Sequence, residues 1–370
     1  MNKILRILIY TLLSIIFFLG GLGIDNTTIL YQSVILGLSI LGFAYWKNGK
    51  IRLPRSVYLY GAFLLFFLLS LLWVVWRDNV WQKFLLFLSG GIFWLGTYNL
   101  GKDFGKTFLK IFLALGIAFG SLFVIYRIVS SPMSFRPDTL YLPTGKATLH
   151  NHLGDLWALV ILTIGYLYSL RKKWWHFPLI LLGIYFLAVS FSRSAYLALF
   201  AGFAFMFFKL EWFDKYKKTF TIVTILTVTL FLYVGFFKTT IFARPYFEQG
   251  FRGLIKHPFG VGIGNFSEVS TDPEISHGAI ETFSSLAHNI VLEVITGIGY
   301  LSFTFVVWLF LVLKELIKRK HSEGVLFTAL FLSLTTNFFF DATYFIPTML
   351  WLWFVFLGIA QSTDEELENR

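Results

Sequence analysis

Long apolar stretches alternate with short polar ones along almost the whole chain. Apolar runs of spanning length fall at 4–24, 28–46, 57–76, 80–98, 107–129, 152–170, 174–191, 194–210, 219–237, 289–313, 323–340 and 344–361. One bilayer crossing takes about 20 apolar residues, so this pattern predicts an all-α polytopic membrane protein with about 12 transmembrane helices. The first run follows Lys3 and Arg6. It is long for the apolar core of a signal peptide and lacks a small-x-small cleavage site, so it reads as an uncleaved first span.

The polar stretches differ in character from one to the next. Those at 47–55, 101–110, 171–173, 209–218 and 314–320 are rich in Lys or Arg. The positive-inside rule puts them, and both termini, in the cytoplasm. Two stretches assigned to the outer side are too long to be plain connections, 130–151 and 238–287. Long loops in a compact protein are usually functional. The chain thus divides into spans one to nine (1–237), an outer loop (238–288), spans ten to twelve (289–361) and a cytoplasmic tail (362–370). Within the outer loop, Phe247, Phe251, Leu254 and Ile255 recur at helical spacing, with Glu248 and Arg252 off the stripe. That spacing predicts an amphipathic helix over 244–255. A Gly-rich turn, 258–265, follows it.

Composition sharpens this picture. Hydrophobic residues make up 57% and charged ones 14%. An average soluble domain is about 45–50% apolar and about 25% charged. A soluble enzyme, a nucleic-acid-binding domain and a disordered chain are all excluded. The net charge of +11 therefore reads as a topology signal and not as affinity for nucleic acid. With no cysteine, neither disulfides nor thiolate metal sites are available.

Charges at the edge of a membrane are costly, which makes them the first candidates for function. Here they gather on the outer side. Arg193 stands between two apolar runs, flanked by Ser192 and Ser194. A guanidinium presents a planar fork of donors to phosphate oxygens, and the two serines add hydroxyls. The bland alternative is an arginine that snorkels to the headgroups. Arg244 and Arg252 complete a candidate cationic cluster for a pyrophosphate. His288 precedes Asn289 at the mouth of the tenth span. A neutral imidazole there suits a general base for a hydroxyl nucleophile. Glu293 lies five residues on, off the face of His288, while Arg136 and His152 are supporting outer-side residues. A zinc site built on His150, His152 and Asp155 is the metal alternative, but no further ligand is specified.

In order and spacing these landmarks resemble the O-antigen ligase and O-antigen polymerase superfamily. Ser192-Arg-Ser-Ala-Tyr-Leu opens a span. An Arg-led helix from Arg244 runs into His257-Pro-Phe-Gly-Val-Gly-Ile-Gly. Ala287-His-Asn-Ile-Val-Leu-Glu then precedes Gly299. The chain departs from the family pattern at Phe247, where many relatives carry Trp one residue away, and at Gly297, where many carry an acidic residue. The resemblance implies a GT-C-type membrane glycosyltransferase on the outer face of the cytoplasmic membrane. Its donor would be an undecaprenyl pyrophosphate-linked glycan and its acceptor a glycan or glycolipid hydroxyl, such as lipid A-core. Arg193 and Arg244, or Arg252, would hold the pyrophosphate, and His288 would take the proton in a single inverting displacement without a cofactor. A ligase fits the His-Asn-x-x-Leu-Glu element, and a polysaccharide polymerase shares the same residues. A secondary transporter or a lipid-linked oligosaccharide flippase is the rival class. Transporters, however, usually bind substrate near the midplane between paired repeats, whereas the polar groups here collect at one face.

Overall fold

The structure is a computed structural model that describes residues 7, 9–12, 27–130, 140–141, 147–148, 150–190, 192–210, 245–276, 283–318 and 322–368. Nearly all of the first predicted span, the whole of the ninth, Arg136 and Arg244 lie outside the described residues.

An apolar segment in lipid must satisfy its own backbone, which leaves the helix as the local solution. The described chain obeys this. Its main helices are α1 (Thr27–Asn48), α2 (Val57–Ser70), α3 (Arg77–Ser130, two helices joined across a kink), α4 (His150–Arg171), α5 (His176–Ser190), α6 (Arg193–Lys209), α7 (Tyr246–Lys256), α8 (Ile290–Ile298), α9 (Phe303–Ile317), α10 (Ser322–Phe338) and α11 (Pro347–Glu368). Among the described residues, four stretches are long and apolar enough to cross a membrane: Thr27–Asn48, Arg77–Gly101, Asn151–Arg171 and Ile290–Ile317. Outward faces carry exposed large apolar side chains, among them Ile35, Leu38, Ile184 and Phe310. Patches of that kind mark contact with lipid or another protein.

The core is centred on α3 and α11, with α1 along α3 and α10 between α6 and α11. Tyr60, Phe63, Trp94, Trp308 and Phe354 form a buried aromatic block. Buried polar handles find partners across the seam. Trp94 Nε1 donates to Gln361 Oε1 at 2.7 Å, and Trp351 Nε1 donates to Ser89 Oγ at 2.9 Å. The two helices approach so closely at Gly358 that a Cβ there would stand 2.1 Å from Thr97 Oγ1. Small residues permit such contacts where lipid offers no hydrophobic drive for association.

Two predicted boundaries are corrected. The stretch 101–110, read as a cytoplasmic loop, is instead a kink where one helix ends and a second begins, so that the residues after it are already helical. The kink is at Gly101, whose φ of +73° and ψ of −161° are non-helical. Phe104, Phe108 and Phe112 follow at one-turn intervals, stack on one another and are buried; Phe108 and Phe112 meet Phe356 of α11 edge-on. That packing keeps a polar sequence helical. The run 289–313, read as one span, falls within the single spanning stretch Ile290–Ile317, but a 3-10 turn at Gly299–Ser302 interrupts it between α8 and α9. Gly299 sits there at φ +62°, where an added Cβ would lie 1.9 Å from the Pro258 carbonyl oxygen. The Gly-rich turn leans on this break. Val261 N donates to Thr296 O, Gly262 N to Gly297 O and Tyr300 N to Pro258 O. Gly297 also packs closely against the turn. A Cβ there would meet the Ile263 backbone at 2.7 Å.

Candidate functional site

His288 is one of two described non-glycine residues with positive φ, at +51°. Such a backbone is uncommon for histidine and is held only where the surroundings demand it. Here the demand comes from both sides. The Asn289 side chain caps α8 by accepting from Leu292 N at 2.9 Å, and its amide donates to Phe339 O at 3.0 Å. Tyr246, at the start of α7, stacks on the imidazole with ring centroids 5.2 Å apart. The ring remains about one third exposed.

His288 Nδ1 stands 3.7 Å from Asp341 Oδ1. That is beyond hydrogen-bond reach but close enough for electrostatic orientation. Asp341 is itself fixed, since its Oδ1 accepts from Ala342 N at 2.6 Å. Its Oδ2 accepts from Ser194 Oγ at 3.3 Å, and Ser194 Oγ pairs with Ser192 Oγ at 3.1 Å. Ser192 in turn caps α6 by accepting from Ala195 N. The start of α6, with Arg193 as its first residue, is thus tied to the carboxylate that faces His288. The Arg193 side chain is exposed and makes no ion pair among the described residues. His152 is buried on the first turn of α4. That turn lies against the 190–195 segment so tightly that a Cβ at Gly154 would meet both Ser190 Oγ and Ser192 Cβ at 2.7 Å.

A second buried carboxylate stands behind the first. Asp155 Oδ2 accepts from Asn337 Nδ2 at 2.7 Å, and the same amide reaches Thr343 Oγ1. Asp155 Oδ1 and Asn337 Oδ1 have no hydrogen-bond partner among the described residues.

Glu293 proves to be a clamp. Oε1 accepts from Gly264 N at 3.0 Å, and Oε2 accepts from Ala287 N at 2.8 Å and from Tyr344 OH at 3.1 Å. It fastens the Gly-rich turn, the residue before His288 and the 342–345 turn to one point. Lys83, from the first turns of α3, completes this corner. Its stem lies under Gly264, its ammonium is 4.7 Å from the Phe345 ring centroid, and its charge acts on Glu293. Sequence reasoning passed over Lys83 and Tyr246. For Lys83 the available signal was a cation inside a predicted apolar run, and for Tyr246 there was none.

The outer-loop helix α7 forms close to its predicted position. Its buried side, however, is Gln249, Gly250 and Gly253, packed on Leu292 and Val269. The apolar stripe of Phe247, Phe251 and Ile255 is exposed. Arg252 is paired with Glu248 one turn away. At the end of the helix, Lys256 Nζ bridges Asp272 Oδ2 at 2.6 Å and Glu274 Oε2 at 2.7 Å. Donation from that ammonium holds the Asp272 carboxyl below its usual range and raises Lys256.

No protein-family model matches the chain, and no curated protein matches its sequence.

Proposed function

We propose that the chain is a polytopic membrane glycosyltransferase of the type its sequence resembles, an O-antigen ligase or the related polymerase. It would cross the cytoplasmic membrane about twelve times and work on the outer face. The observation that carries this reading is His288, held in a left-handed backbone between Tyr246 and Asp341, with Arg193 beginning the helix that Ser194 ties to the same carboxylate.

The chemistry follows from that arrangement. Asp341 favours the tautomer with the proton on Nδ1, which leaves Nε2 to accept the proton of an acceptor hydroxyl. The hydroxyl oxygen attacks C1 of the donor sugar as the bond from C1 to the pyrophosphate oxygen breaks, inverting the centre. Arg193 stabilises the negative charge that develops on the leaving pyrophosphate. Arg244 is the second cation of this scheme in preference to Arg252, whose charge is shared with Glu248. A pyrophosphate is already a good leaving group, so the scheme calls for neither a nucleotide sugar nor a metal.

The test is His288→Asn in purified, reconstituted protein supplied with lipid-linked glycan and acceptor. Asparagine tolerates the left-handed region, so the fold should persist while transfer falls by at least about 100-fold, the usual contribution of a general base. Transfer at the native rate would remove the assignment. Deleting the protein and analysing glycolipids separates the two branches. Loss of a ligase strands long glycan on the carrier, and loss of a polymerase leaves single repeats on the final acceptor.

A proton-coupled transporter is the second reading, favoured by Asp155. An intramembrane carboxylate with an unpartnered oxygen is the usual mark of a proton relay. Uptake of labelled lipid-linked glycan into vesicles, abolished by Asp155→Asn but not by His288→Asn, would select it.

A further inference from the structure

Behind Asp341 lies a buried set of oxygen atoms that the transfer scheme does not use. Asp155 stands on the second turn of α4, and Asn337 and Thr343 flank the turn that carries Asp341. All three are closed to solvent, with Asp155 1% exposed and the other two 0%. Asn337 Nδ2 donates to Asp155 Oδ2 at 2.7 Å and also reaches Thr343 Oγ1. The Asn337 carbonyl accepts from Phe340 N at 2.8 Å and from Asp341 N at 2.9 Å. One residue thus joins the Asp155 carboxylate to the Asp341 turn.

The amide donors of this set are committed, while two of its acceptors are not. Asp155 Oδ1 and Asn337 Oδ1, carried by the two partners of one hydrogen bond, have no hydrogen-bond partner among the described residues. A buried polar atom in that condition is costly unless something positive meets it. Two further features favour positive charge at this point. Asp155 feels the like charge of Asp341, and Asn337 lies in the last turn of α10, where the negative end of the helix dipole attracts a cation.

We infer that Asp155 Oδ1 and Asn337 Oδ1, with Thr343 Oγ1 beside them, hold a small monovalent cation, for which sodium is the probe. The ligands are all hard oxygens, which argues against zinc. Magnesium gives up its waters reluctantly, and these side chains leave it no open side. The oxygens of Asp341 are engaged by Ala342 N and Ser194 Oγ. One carboxylate therefore remains for the ion, which matches a single positive charge better than the two of calcium. Helix C-terminal ends and neutral oxygens hold sodium in the same way in transporters. The cation would offset the repulsion between Asp155 and Asp341 and brace the 337–343 turn. The site is independent of the transferase reading.

Carbodiimide labelling of the native full-length protein tests it. Dicyclohexylcarbodiimide enters the bilayer and modifies protonated carboxyls, and mass spectrometry reads the adduct on the peptide that carries Asp155. Labelling is followed at one pH in matched sodium, calcium and choline chloride. Sodium should slow modification of Asp155 about tenfold when present at about ten times its Kd, and choline should not. Asn337→Leu, which removes Oδ1, should lose this protection. Equal rates in sodium and choline would mean that Asp155 carries a proton instead, as the transporter reading requires, and would overturn the proposal. Protection by calcium alone, or protection undiminished in Asn337→Leu, would overturn it as well. Thermal unfolding in detergent shows whether Asn337→Leu folds; where it does not, the salt series on the native chain decides by itself.

Discussion

Holding His288 at φ +51° costs about 1–2 kcal/mol relative to an ordinary backbone. The surrounding contacts meet that cost, and they can be probed one at a time. Glu293 is the most informative, because both its oxygens only accept, from Gly264 N, Ala287 N and Tyr344 OH. Glu293→Gln would turn an amide NH₂ toward a backbone N–H. A buried donor left facing a donor costs about 1–3 kcal/mol. The variant should unfold at lower temperature in detergent and should lose transfer through misplacement of His288. An unchanged melting temperature would contradict the clamp.

At the scale of elements, helix identity was legible and helix breaks were not. Apolar runs of spanning length have no alternative to helix in lipid, and α1, α2 and α4 fall where periodicity and length put them. Gly101 and Gly299 were opaque for opposite reasons. At the first, a single non-helical glycine serves where a ten-residue loop was expected, because Phe104, Phe108 and Phe112 stack in a new helix directly beyond it. The second breaks a strongly apolar run because the 258–264 turn crosses there, a contact between segments that no local pattern reports. The site divides in the same way. Arg193, His288 and Asp341 stand out as charged or polar residues at span ends. The contacts that bring them together, Ser194 to Asp341 and Asp341 near His288, run across distant sequence, and only the fold reveals them.

The same limit applies to α7. Spacing reveals an apolar stripe but not the side on which the protein packs; Gly250 and Gly253 decide that, turning Phe247, Phe251 and Ile255 outward. Exposed beside them are Phe259, Leu72 and Val75, and Trp73 Nε1 donates to Phe259 O. A helix of this kind should lie in the bilayer interface. A nitroxide on a cysteine at Phe251 should be reached by oxygen and shielded from a water-soluble nickel chelate, with the reverse at Lys256. Equal access of the chelate to both positions would refute it.

The other end of α7 carries a pH signature. Asp272 is depressed by donation from Lys256, so its contribution is complete above the unfolded value near 4. It fades as pH falls through the lower folded value. Lys256 is raised, so its share is complete below about 10.4 and fades only as pH climbs through the folded value above that. Docking of 245–276 should be flat between about pH 5 and 9, then loosen slightly in acid, as exposed pairs contribute little. Hydrogen exchange corrected for intrinsic rate should show that loosening in the native chain and not in Lys256→Gln.

For the whole molecule, the lack of cysteine makes sidedness directly measurable. A cysteine at Ser285, three residues before His288, should react with an impermeant maleimide on intact cells. One at Lys50 or Lys173 should react only after permeabilisation. The converse result would invert the proposed orientation and move the chemistry to the cytoplasm.

The seam between α3 and α11 also bears on how the protein is made. Trp94 and Gln361 are separated by 267 residues. At a synthesis rate of about 5–20 residues per second, α3 waits roughly 15–50 s for the helix that satisfies Trp94 and Ser89. Throughout that interval a nascent chain holds polar groups in the membrane without their eventual partners. The bundle thus depends on what shelters α3 during translation, and substitutions at Gly358 or Gln361 should act first on yield and only then on activity.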